Sequence, residues 1–107
     1  MTAVTVLAVY RPKPGKAADL DRLVAGHVAI LRTEGLATDY PPTVLKAADG
    51  TVVEIFEWVS AAAIDAAHGN GAVMALWAEF GAVCDYLPIA DLKEAKQMFS
   101  PFTRVAS

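Results

Sequence analysis

Two histidines and one strand-borne glutamate are the residues whose types and settings suit chemistry. His68 ends an Ala-rich stretch, Ala61 to His68, just before Gly69-Asn70-Gly71. Imidazole titrates near neutral pH, so His68 is the first candidate for a base that takes a proton from a weakly acidic substrate and returns it. The competing reading is a helix-terminal histidine whose charge complements the dipole and whose ring N–H caps a carbonyl. His27 lies within an apolar helical stripe, where a histidine is either a core residue with one hydrogen bond or a ligand contact. Glu54 stands between Val52 and Phe56 on one strand face. A buried carboxylate is costly unless paired or hydrogen-bonded. Glu54 is therefore a second catalytic candidate, or else part of an inter-subunit hydrogen bond or ion pair. The two histidines lack a third ligand at a recognisable spacing, so no metal site is predicted.

The aromatic residues give the histidines a setting. Tyr10, Trp58, Trp77, Phe80 and Tyr86 either fill a core or line a pocket that stacks a planar ligand beside His27. Tyr40, next to Pro41-Pro42, is placed to cover the mouth of such a pocket. Arg11, Lys13 and Lys16 cluster after the first apolar run, as a solvated loop or as a capture point for an acidic substrate.

Composition bounds what these residues serve. A chain of 107 residues allows one domain, taken as 1–107, and 55% hydrophobic content is far too high for a disordered chain. Nine basic against 12 acidic residues, a net charge of −3, supply no basic face for nucleic acid. The single Cys84 cannot form an internal disulfide. No basic stretch precedes the first apolar run, and no run reaches the roughly 18 to 20 residues that span a bilayer. The expectation is a cytoplasmic protein with no membrane partner.

The elements that must position the candidates follow from periodicity. Val4 to Arg11 reads as a strand, stopped by Pro12-Lys13-Pro14-Gly15. From Lys16 to Glu34 the period becomes helical, with Leu20, Leu23, Val24, His27 and Leu31 on one face and Gly35 as the C′ residue. Thr43–Ala48 and Thr51–Val59 are strands around Asp49-Gly50, a strong hairpin signal. A two-residue loop pairs Lys46 with Val53 and Leu45 with Glu54, which puts Lys46 on the face of Glu57. Ser60 caps a short helix, Ala61 to His68. A longer helix runs from about Ala72 to Tyr86, closed by Pro88. Asp91–Met98 is a short helix on its Asp/Glu spacing, and Phe102–Val105 alternates like a final strand.

The order β-α-β-β-α-β is the ferredoxin-like arrangement, an α+β fold with a four-stranded antiparallel sheet and helices on one face. The first strand is apolar on both faces, with Val4, Val6, Ala8 and Tyr10 on one and Thr5, Leu7 and Val9 on the other. Helices cover only one of them, so a homodimer packed sheet to sheet is predicted.

A strand followed by Pro14-Gly15-Lys16 and a helix, then a strand ending in Glu57-Trp58-Val59-Ser60, then an Ala-rich helix ending in His68, resembles the dimeric α+β barrel superfamily. The nearest likeness is to its antibiotic-biosynthesis-monooxygenase-like branch, over roughly residues 4 to 86. The resemblance implies a homodimer with a ligand cavity between each sheet and its helices. It also implies cofactor-independent oxygenation of a small phenol- or quinol-like compound. Two departures stand out. Val73 occupies the place of a second histidine found in monooxygenase-like members, and Trp77 that of the proximal ligand of haem-degrading ones. RNA-recognition aromatics, a Cys-x-x-Cys pair and a phosphate loop are absent. The implied activity uses His68 or Glu54 as base without metal or flavin, in a pocket lined by Tyr10, His27, Trp58, Trp77 and Phe80. A non-catalytic ligand-binding or structural homodimer, and an isomerase on the same scaffold, are the alternatives.

Overall fold

A computed structural model describes residues 2–105; residues 1, 106 and 107 of the expected domain lie outside the described residues. The fold is α+β, compatible with a ferredoxin-like arrangement, and its antiparallel sheet has five strands in the order β4-β1-β3-β2-β5. They are β1 (Val4–Pro12), β2 (Thr43–Lys46), β3 (Val52–Trp58), β4 (Cys84–Leu87) and β5 (Thr103–Arg104). Three helices, α1 (Ala17–Thr33), α2 (Ala61–Ala67) and α3 (Gly71–Val83), pack on one face.

β1 and β3 form the centre. Val4, Val6, Ala8 and Tyr10 lie opposite Trp58, Phe56, Glu54 and Val52, and these side chains make the face under the helices. Onto it α1 turns Leu20, Val24, His27, Val28 and Leu31, all buried. The helix ends in a Schellman motif: Leu36 N–H donates to the Leu31 carbonyl, Gly35 N–H to that of Arg32, and Gly35 takes φ +73°. That closure brings buried Leu36 back against Leu31. Ser60 caps α2 by accepting from Ala63 N–H, and Asn70 caps α3 by accepting from Val73 N–H.

The hairpin departs from its expected register. Gly50, at φ +90°, closes a three-residue loop in which Gly50 N–H donates to the Ala47 carbonyl and Ala47 N–H to that of Thr51. Lys46 therefore pairs with Val52, and Val44 with Glu54, one residue away from a two-residue loop. Because side chains alternate, the slip carries Lys46 to the face of Glu54 rather than Glu57. Its ammonium still does not reach Glu54; it donates to Asp21 on α1 at 2.9 Å.

The second half departs in two further places. The helix expected to reach Tyr86 stops at Val83, and Cys84–Leu87 leaves it extended to pair with the edge of β1. The fourth strand is thus Cys84–Leu87, and the tail strand is a fifth, on the opposite edge beside β2. In place of a helix at Asp91–Met98 stand two 3-10 turns, Ile89–Asp91 and Lys93–Lys96. They run under the second sheet face, where Leu92, 2% exposed, joins Val9 and Val53, with Leu87 and Phe102 alongside. Glu94 fastens the segment by accepting Ala48 N–H at 3.0 Å. The chain therefore covers part of the face expected to be wholly open; Leu7 on β1 remains 50% exposed.

This cover makes Leu92 a core residue. Leu92→Ala is expected to lower the unfolding free energy by about 2–5 kcal/mol, whereas Phe99→Ala in the exposed tail should change it by no more than about 0.5 kcal/mol. Urea unfolding of the two variants checks this.

Candidate functional site

Between the sheet and helices α1 and α3 lies a cavity of about 600 Å³. That is within the roughly 300–1,000 Å³ of small-molecule sites. The five residues expected to bind a ligand all line it: Tyr10 from β1, His27 from α1, Trp58 from β3, and Trp77 and Phe80 from α3. Tyr86, the fifth aromatic of the expected lining, borders it as well, and the wall is otherwise apolar, with Phe56 and Met74 as lining residues that the sequence did not single out. Of these two, Phe56 was the one alternation could have found, since it shares a strand face with Trp58 and Glu54. Its ring stands 5.3 Å from His27 at 79°, and that of Phe80 at 5.1 Å and 64°, so the imidazole is held edge-on between two phenyl rings.

Behind this wall is a chain of hydrogen bonds. Glu54, 0% exposed, accepts two of them on one oxygen. The Tyr10 hydroxyl donates to Oε1 at 2.8 Å, and His27 Nδ1 lies 2.7 Å from the same atom. On the far side of the imidazole, Trp77 Nε1–H donates to His27 Nε2 at 3.2 Å. An indole nitrogen only donates, so Nε2 carries a lone pair and the imidazole proton sits on Nδ1. His27 is therefore a neutral Nδ1–H ring donating to Glu54, and the contact is a hydrogen bond rather than an ion pair. Burial, and next the neighbouring Glu54 carboxylate, push the Tyr10 phenol far above its ordinary range. Tyr10 thus stays protonated as a donor. Among the described residues, Glu54 Oε2 has no hydrogen-bond partner.

Each member comes from a different element for a local reason. Tyr10 and Glu54 share a sheet face, one from each of two adjacent strands, and Ala8 opposite Glu54 leaves space beside the carboxyl. His27 falls on the buried stripe of α1 between Val24 and Val28. Glu54 sits on the helix side of the sheet, and its Oε1 makes both of its hydrogen bonds within the chain, to Tyr10 and His27, rather than to a partner subunit.

The remaining candidates lie apart. His68 is exposed at the C-terminal end of α2, with Nδ1 2.8 Å from the Ile64 carbonyl, and does not line the cavity. Its ring rests against Trp77, centroids 5.2 Å apart at 67°. Tyr40 borders a separate hollow of about 390 Å³ with Thr5, Thr43 and Glu57. Arg11 faces Asp49 and Lys16 faces Asp19, while Lys13 donates to the Gly81 carbonyl, so the three do not converge. Burial pushes the Cys84 thiol up to about 11, and the nearby Asp85 adds to this. Among the described residues no group of three or more His, Cys, Asp or Glu is placed to hold a metal ion. Among them, too, no helix is long and apolar enough to cross a membrane.

What the arrangement can do is proton transfer. A neutral imidazole fixed through Nδ1–H by a buried carboxyl offers Nε2 as the basic atom, in a pocket with few competing polar groups. No family model, curated protein or solved structure matches the chain.

Glu54→Leu removes the acceptor of two buried donors and is expected to lower stability by about 2–5 kcal/mol. Glu54→Gln keeps one acceptor oxygen and should lose clearly less. Equal losses in urea unfolding would show that these hydrogen bonds are not what the fold requires at this position.

Proposed function

We propose that the chain is a small-molecule enzyme of the monooxygenase-like dimeric α+β barrel type, acting on a phenol- or quinol-like compound without a cofactor. One observation carries this reading: the apolar cavity contains a neutral histidine, His27, whose proton is fixed on Nδ1 by buried Glu54. His27 takes the role of base in preference to His68 because it lines the cavity and His68 does not. Glu54 and Tyr10 act as positioning residues, holding the ring in one tautomer and one orientation.

His27 Nε2 takes the phenol proton, and the ring carbon para to the oxygen forms a bond to dioxygen. The peroxide takes up the proton that His27 held. Loss of the ring C–H proton and cleavage of O–O then expel water and leave a quinone, so that phenol plus dioxygen gives quinone plus water. The site contributes the base, the orientation of the ring between aromatic walls, and exclusion of water around the anion.

A non-catalytic ligand-binding role is the second reading, favoured by the fact that both nitrogens of His27 already have partners. An isomerase would use the same base and consume no oxygen. The expected result is oxygen uptake with members of a panel of phenols and quinols, lowered about 10²–10⁴-fold by His27→Phe, the usual contribution of a general base. Uptake unchanged in that variant removes His27 from the mechanism. Binding without turnover favours the second reading, and turnover without oxygen the isomerase.

The homodimer belongs to the same proposal. Its support is half-exposed Leu7 on the sheet face opposite the helices, beside partly buried Ile55. A dimer at micromolar concentration, converted to monomer by Leu7→Lys, is the expected outcome of sedimentation equilibrium; a wild-type monomer overturns it.

A further inference from the structure

We propose that Trp77 is the gate of this site: its indole N–H caps the lone pair of His27 Nε2 and must turn away before a ligand hydroxyl can reach the base. The inference rests on the reading of His27 as that base. Three observations carry it. The indole donates to the one imidazole nitrogen that Glu54 leaves free, at 3.2 Å. The ring lines the cavity, so a ligand that enters meets it directly. It is also only partly buried, with half-exposed Met74 before it on α3 and exposed His68 against it, whereas Leu76 and Phe80 of the same helix are buried. Trp77 is thus the member of the hydrogen-bonded chain with room to move, while Tyr10, His27 and Glu54 are enclosed.

The gate discriminates between ligands by chemistry rather than size. A phenol replaces the indole N–H with its own O–H, exchanging one donor at Nε2 for another at little net change. A ligand of the same shape without a hydroxyl offers nothing to Nε2, and the indole stays in place. An unoccupied site thereby keeps its base capped, and a hydroxyl-bearing ligand uncaps it.

The test compares wild type with Trp77→Phe, which keeps an aromatic ring and removes the donor. The probes are 4-nitrophenol, whose yellow anion reports proton transfer, and 4-nitroanisole, which lacks the hydroxyl. Removing the competing hydrogen bond should tighten 4-nitrophenol binding by about fivefold, and should speed carbethoxylation of His27 by diethyl pyrocarbonate by a similar factor. The affinity for 4-nitroanisole should stay as it was. An equal gain for both probes means only a roomier cavity and overturns the gate. If neither protein binds either probe, the phenol reading falls, and carbethoxylation alone decides: faster labelling supports the gate, an unchanged rate overturns it. Should Trp77→Phe fail to fold, nitrogen NMR of the wild-type histidines decides. A neutral Nδ1–H ring at His27 with Nε2 in a hydrogen bond supports the cap, and an Nε2–H or doubly protonated ring overturns it.

Discussion

A carboxyl group placed out of reach of water must find hydrogen-bond donors or destabilise the fold that buries it. Glu54 is that group, and much of the molecule is arranged around its one satisfied oxygen. The donors come from Tyr10 on the neighbouring strand and from His27 on the helix above, and the indole of Trp77 extends the chain to a third layer of contact. Four side chains thereby tie β1, β3, α1 and α3 together. The aromatic rings packed around them exclude water and make each of these hydrogen bonds count for more. The same arrangement leaves a cavity, because a row of rings held by polar anchors cannot collapse onto the space in front of it.

The sheet makes this possible through its alternation. Glu54 faces the helices because β3 pairs with β1 in a register that puts Val52, Phe56 and Trp58 on the same side. The three-residue turn closed by Gly50 sets the register of the outer strand, and with it the side on which Lys46 emerges. Lys46 then meets Asp21 at the rim of α1 and stays clear of the buried carboxyl. A cation placed against Glu54 would have made an ion pair and changed what the carboxyl asks of His27.

Much of the frame was legible in the sequence, and for identifiable reasons. β1, α1, α2 and the hairpin carry local signals: β-branched runs, a helical stripe ending in Gly35, Ser60 as a cap, and Asp49-Gly50. The aromatic lining was legible as a set because Tyr10, Trp58, Trp77 and Phe80 fall on the inward positions of their elements. Other features are properties of pairing rather than of local sequence. Cys84–Leu87 continues the apolar period of α3, and only the open edge of β1 makes it a strand. The loop length around Asp49-Gly50 is fixed by the left-handed glycine and not by its neighbours' propensities. The union of Glu54 with His27 joins residues far apart in the chain, and no spacing rule connects them. His68 stood out because a histidine beside glycines is conspicuous; His27 was harder to weigh because an apolar stripe reads as core. The helix face of the sheet and the segment beneath it differ in the same way. The helix side was visible as periodicity, whereas Leu92 reached the other face through irregular turns that carry no period.

The direct junction of α3 with β4 has its own consequence. Val83 ends the helix and Cys84 begins the strand, with no connecting residue between them. A wall joined this way has no slack: sliding α3 would drag the edge strand and strip its pairing with Tyr10 and Arg11. The backbone outline of the cavity is therefore close to invariant, and its capacity is adjusted one side chain at a time. Exchange of Met74 or Ala78 for larger or smaller residues would retune which molecules are admitted, while the helix that carries them stays where it is. Such a scaffold diversifies by trading side-chain volume, and its ligand preference can drift without any change in the path of the chain.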